Sequence, residues 1–211
     1  MKFADLLAIV ADRPVFESGF LLTGDVDPGD VRRQLSRWAA CGKILQLRRG
    51  VYALAPPYRK GRPDPLLIAC ALVRPSYVSC EAALSLHGLI PEMPQAVTSI
   101  TTRRPGTYST ALGRFVYRHV SVDRFWGFEA SDSEASILCA SPEKALLDLI
   151  YLTPRAADEA YLRELRLQRL DRLDTEALAR MAARFGGPKL AAAAMFLQRL
   201  ASEEAAEYRA R

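Results

Sequence analysis

The 211-residue sequence predicts an α+β protein: an N-terminal winged helix-turn-helix, then a mixed α/β domain, then C-terminal helices. Three observations predict it. The excess positive charge lies entirely in the first third of the chain. A helical stretch with one apolar and one basic face is followed there by a short hairpin pattern. Beyond it, stretches rich in β-branched and aromatic residues are interspersed with capped helices and give way to a leucine-rich helical tail.

A chain of this length holds a small domain of about 60 residues plus one of ordinary size. The expected division is a winged domain over 1–57, a linker over 58–65, an α+β domain over 66–152 and a helical region over 153–211 that packs on it. Half the residues are hydrophobic and a quarter charged, a composition that supports real cores and excludes global disorder. The opening MKFADLLAIVADRP carries acids, and no run of about 18 apolar residues occurs, so neither a secretory signal nor a membrane span is expected and the default location is cytoplasmic. Cys41, Cys70, Cys80 and Cys139 show no CxxC spacing and read as reduced core thiols rather than a disulfide framework or zinc site.

Residues 1–63 carry 11 Lys and Arg against 6 Asp and Glu, while 64–211 carry 18 against 18. Between Val26 and Arg62 the ratio is nine to two. A basic patch beside a balanced remainder suits a polyphosphate partner, because each neutralised phosphate releases condensed counterions. Charge alone also suits anionic lipid or acidic protein, so arrangement must decide.

Phe3, Leu6, Leu7 and Val10 recur at helical spacing and predict a first helix ending near Asp12, Arg13 and Pro14. A short second helix is expected over Phe16 to Leu22, weakened by Ser18-Gly19. Thr23 to Asp27 reads as a turn, with Asp27 as N-cap and Pro28 in the first position of a helix over Pro28 to Ala40. Val31, Leu35 and Trp38 form its buried stripe, and Arg33, Ser36, Arg37 and Ala40 face the other way. Cys41-Gly42 ends it. Ile44 to Leu47 and Val51 to Leu54 then pair around Arg48-Arg49-Gly50.

That order is the winged helix-turn-helix arrangement. A major groove about 12 Å wide admits one helix, whose exposed side chains meet base edges, while the wing reaches phosphates or the minor groove. Arg33, Ser36 and Arg37 are therefore candidate base readers. Arg32, Lys43, Arg48 and Arg49 are candidate phosphate contacts. The plainer alternative is a solvated basic helix face paired with neighbours such as Asp30.

In the second domain, Asp64-Pro65-Leu66 opens a helix to about Val73, Tyr77-Val78 suits a short strand, and Ser79 caps a helix ending at His87-Gly88. Val97 to Arg103 and Gly113 to Val120 read as strands pairing in a hairpin across the turn-rich Arg104 to Thr107. Ser141-Pro142-Glu143 starts a helix ending near Tyr151-Leu152. The tail breaks at Gly186-Gly187-Pro188, and Leu162, Leu165, Leu167, Leu170 and Leu173 require it to pack, on its own domain or on another chain.

Catalytic constellations are not evident. Seven residues on one helix place Cys80 and His87 about 10 Å apart, too far for a nucleophile and its base. Asp25-x-Asp27 resembles a magnesium-holding carboxylate pair, but it abuts a proline-started helix and lacks a Gly-Ser phosphate turn shortly before it, so turn and capping duty is expected. No Walker loop, GxGxxG, HExxH or GxSxG occurs. An enzyme, a cofactor and a metal site are not expected.

Three sets of residues also carry a resemblance. Arg33-Gln34-Leu35 to Trp38, Gly42-Lys43-Ile44 and Leu47-Arg48-Arg49-Gly50-Val51-Tyr52-Ala53 resemble the winged domain of the abortive-infection AbiE-type antitoxins of type IV toxin-antitoxin systems. Tyr77-Val78-Ser79 with Ala83-Leu84 and His87-Gly88-Leu89, and Ser141-Pro142-Glu143-Lys144-Ala145-Leu146-Leu147-Asp148, are similar to that family's second-domain motifs. The resemblance covers most of residues 1–152. It implies an antitoxin that represses its own operon at inverted repeats in promoter DNA and antagonises a cognate nucleotidyltransferase toxin, with no stable complex required. Within the second domain, Arg103, Arg104, Arg114 and Arg118, expected to be exposed, are the antitoxicity candidates, with ordinary sheet-surface charge as the plainer reading. The alternative function is a winged-helix transcriptional regulator whose second domain senses a different ligand or protein partner.

Overall fold

The computed structural model describes residues 1–10, 13, 15–22, 26–131 and 137–209. Asp12, Pro14 and the turn residues Thr23, Gly24 and Asp25 lie outside them, and so does the Asp25 half of the carboxylate pair. Among the described residues no helix is long and apolar enough to cross a membrane.

Helix α1 (Phe3–Val10) buries Leu6 and Val10, with Phe3 and Leu7 packed beside them. Strand β1 (Phe16–Glu17) and a 3-10 turn (Ser18–Leu21) follow where a short helix is expected from the sequence. Pairing explains the difference. Phe16 and Glu17 lie antiparallel to Tyr52 and Val51, and the Phe16 ring stacks on Tyr52 at 5.8 Å, so a tertiary partner overrides local preference. Helix α2 (Pro28–Ala40) and the hairpin of β2 (Ile44–Arg48) and β3 (Val51–Leu54) complete a three-stranded sheet in the order β1-β3-β2.

The larger part contains α3 (Pro65–Leu72), β4 (Ser76–Val78), α4 (Cys80–Leu86), β5 (Ala96–Thr101), β6 (Gly106–Thr110), β7 (Gly113–His119), β8 (Phe128–Ala130), β9 (Leu138–Ala140) and α5 (Pro142–Leu152). Helices α6 (Glu159–Glu164), α7 (Thr175–Phe185) and α8 (Pro188–Arg209) follow. The strands form one mixed sheet, β6-β7-β5-β4-β9-β8.

The expected hairpin between the strands near 97–103 and 113–120 is corrected here. β5 and β7 are neighbours but run parallel, Ala96 opposite Arg114 through Thr101 opposite His119. The residues between them, read as a turn, include β6, which forms the antiparallel hairpin with β7. Tyr108 and the flanking threonines supply the β-branched and aromatic content, and Tyr108 meets Tyr117 edge-on at 5.7 Å.

Local capping chemistry sets the helix starts. Asp64 accepts from the Leu66 amide and Ser141 Oγ from the Lys144 amide, each ahead of a proline in the first turn. Ser79 departs from the expected capping role: its hydroxyl donates to Asp148 Oδ2 at 2.7 Å instead. In the tail, Leu162, Leu170 and Leu173 are buried in the core of the large sheet, with Leu165 and Leu167 against it, so the helices pack on their own chain.

β3 is buried on both faces. Tyr52 and Leu54 join Leu6, Val10, Phe16, Val31, Leu35 and Ile44 in the small N-terminal core, while Leu47, Val51 and Ala53 belong to the core of the large sheet.

Candidate nucleic-acid interface

Helix α2 has two distinct sides because of where its apolar residues fall. Asp27 accepts from the amides of Gly29 at 3.0 Å and Asp30 at 3.2 Å, which fixes the helix start. From that start, Val31 and Leu35 are buried and Trp38 is half-buried, its ring edge-on to Phe3 at 5.3 Å. Arg32, Arg33, Ser36 and Arg37 are thereby placed together on the opposite, exposed face. Arg33 is not idle there. Its guanidinium pairs with the Asp30 carboxylate one turn earlier, although its side chain stays 75% exposed.

The hairpin presents one of its two arginines. Arg49 is exposed at the turn beside Gly50, whose φ of +82° suits glycine and whose carbonyl accepts from the Ser18 amide at 2.8 Å. Arg48 is half-buried instead; its Nε is buried with no hydrogen-bond partner, and its charge is felt at the Tyr117 phenol of the large sheet. Lys43, also half-buried, holds its ammonium 4.8 Å from the Phe3 ring centroid. The five residues of β2, at ~3.4 Å rise, span about 14 Å along the strand.

The four second-domain arginines do not form one set. Arg103, Arg104 and Arg114 are exposed as expected. Arg118 is not: it is half-buried and donates to the carbonyl of Leu152, satisfying the last turn of α5. A strand arginine aimed at a helix end pairs with a carbonyl that has no partner inside its own helix.

Cys80 and His87 stand at opposite ends of α4. His87 Nε2 lies 2.9 Å from the Ala140 carbonyl oxygen, and burial pushes the Cys80 thiol well above its ordinary range, so Cys80 is held as the thiol. Among the described residues no three His, Cys, Asp or Glu side chains gather to hold a metal ion.

A buried polar cluster escapes the sequence reading. Lys144 and Asp148, one turn apart on α5, are ion-paired with neither side chain exposed. Lys144 Nζ also donates to the Tyr77 hydroxyl at 2.7 Å, and Tyr77 donates to Asp148 Oδ2 at 2.9 Å. The rings of Phe185, Trp126 and Tyr77 surround the ammonium, their centroids 4.7, 5.0 and 5.1 Å away. Burial pushes the Asp148 carboxyl up and the Lys144 ammonium down, while each charge draws the other back. Fully buried and joined by these bonds, the cluster ties α5 to β4 and to the aromatic residues over it. The sequence signal is present: α5 is apolar nearly all round, so a Lys and an Asp four residues apart in it lack a solvent face.

No family model matches this chain, and no curated protein sequence does. The fold is similar to that of a solved structure, the Rv2827c protein from Mycobacterium tuberculosis, at 20% identity and a TM-score of 0.57, covering 92% of this chain and 75% of that one. At that identity the likeness speaks to the fold alone.

Proposed function

We propose that residues 1–57 are a winged helix-turn-helix that binds duplex DNA, with α2 in the major groove and the β2–β3 turn against the backbone. The observation that carries this reading is the division of α2: Val31 and Leu35 bury one side while Arg32, Arg33, Ser36 and Arg37 stand together on the other. Arg33, Ser36 and Arg37 read base edges. Arg32 and Arg49 meet phosphates, and Lys43 and Arg48 contribute positive field from half-buried positions. The order of helix, three-stranded sheet and arginine-tipped turn supports it.

The resemblance to AbiE-type antitoxins extends the proposal to a repressor of its own promoter, acting at inverted repeats, and to an antagonist of a nucleotidyltransferase toxin. The experiment is a gel shift with the protein's own upstream DNA against random duplex. Each good bidentate base contact contributes about 1–3 kcal/mol, so Arg33→Ala with Arg37→Ala should abolish the preference for the upstream site. No preference in the unaltered protein would sink the repressor reading. Failure to rescue growth when the neighbouring reading frame is induced would remove the antitoxin half and leave DNA binding standing.

A further inference from the structure

A groove of about 550 Å³ opens at one end of the large sheet, between the first turn of α3, the last turn of α4 and the starts of β5 and β7. Its walls are apolar: Leu66, Leu86, Val97 and Phe115, with Met93 on the rim. Leu86 is 56% exposed and Met93 90%, so the apolar surface continues past the groove onto open protein. Isolated exposed hydrophobics are ordinary; a rimmed groove with two of them at its mouth marks an interaction site.

The charges around it leave a positive excess. Asp64 lines the groove as an exposed carboxylate that accepts from the Leu66 amide and caps α3. Glu92, next to Met93 in the chain, is paired with Arg166 at 3.2 Å. Arg62 donates to the Leu112 carbonyl at 3.3 Å, which holds its guanidinium on the groove wall, and Arg114 is exposed with no ion pair among the described residues. What the groove presents is an apolar trough with two arginines against the one carboxylate of Asp64.

We infer that this groove docks a segment of a partner protein whose apolar side chains are flanked by carboxylates. Small ligands are held in sites that cover most of their surface, and a trough with Leu86 and Met93 standing clear of it does not enclose one. A peptide suits it better: anchors at i, i+3 or i+4 and i+7 lie along the trough while acidic neighbours meet Arg62 and Arg114. The flexible thioether of Met93 adapts to the seated chain. The inference does not rest on the DNA-binding reading.

The test is a peptide-display selection on the full chain, counter-selected on Leu86→Glu, an exposed position whose change leaves the core intact. Enriched peptides should carry helically spaced Leu, Ile or Phe with Asp or Glu between them. A synthetic representative followed by fluorescence anisotropy should lose ~10-fold or more in affinity, about 1.4 kcal/mol, with Leu86→Glu and with Arg114→Glu. Circular dichroism and DNA affinity of Leu86→Glu should match those of the unaltered protein. The inference is overturned if nothing is enriched over the counter-target, if Lys- and Arg-flanked peptides win, or if binding survives both variants. Saturable binding of decanoate by a groove that selects no peptide overturns it equally.

Discussion

The Lys144 ammonium and the Asp148 carboxylate meet one helical turn apart in an interior that leaves neither side chain any solvent exposure. Tyr77 bridges them and Ser79 donates to the carboxylate, so two strand-end hydroxyls and a helix are joined by one network. Removing either charge strands the other. Lys144→Met or Asp148→Leu alone should cost about 3–5 kcal/mol of unfolding free energy. The double variant should cost far less than the sum, because a well-packed apolar pair avoids desolvating two ions. Urea melts of the four proteins measure the coupling, and strict additivity would refute it.

Alkaline pH should destabilise the fold through its thiols. Burial pushes Cys139 up to about 11 and Cys80 well above its ordinary range, whereas an unfolded thiol ionises near ~8.5. A folded pKa above the unfolded one contributes stability that is full below the unfolded value and lost as pH climbs through the folded one. Stability should therefore decline from about pH 8.5 to 11, and Cys80→Ala with Cys139→Ala should flatten that decline. A thiol reagent offers a second readout: exposed Cys41 reacts at once, and Cys80 only as the chain unfolds.

Asp30 competes with DNA for Arg33 if α2 enters the groove. Asp30→Ala frees the guanidinium and removes a negative charge from the same face. Binding to the upstream site should tighten more than binding to random duplex, because the freed guanidinium meets a base edge. Equal tightening on both duplexes, or none, would place Arg33 away from the bases.

Arg118 and its three companion arginines should separate cleanly. Arg118→Ala leaves the last carbonyl of α5 without its donor, so it should lower stability by about 1–2 kcal/mol, read as a shift of the urea midpoint. Arg103→Ala, Arg104→Ala and Arg114→Ala sit on exposed surface and should each stay within about 0.5 kcal/mol. On the antitoxin reading, loss of growth rescue without loss of stability should fall among these three.

What the sequence made legible was local. Asp27 and Pro28 mark the start of α2, and Val31, Leu35 and Trp38 mark its inner side, because caps and helical periodicity act over a few residues. Ser141 and Pro142 do the same for α5. Residues whose state depends on distant partners were not legible. Phe16 and Glu17 are a strand only because Tyr52 and Val51 lie beside them. The parallel pairing of β5 with β7 depends on β6 folding back first, which strand propensity does not encode. Arg118 looks like surface charge until Leu152, far along the chain, arrives within reach. For the candidate interface, the exposed side of α2 followed from periodicity, whereas the inward turn of Arg48 depends on the large sheet packing against the hairpin.

β3 belongs to two interiors at once. A fragment ending at Pro57 would turn Leu47, Val51 and Ala53 toward water, and rotation about the segment that follows would tear the same contact open. The two halves share a party wall rather than a hinge. If the arginine side of α2 binds DNA, the far half is held to it through a strand that both interiors need.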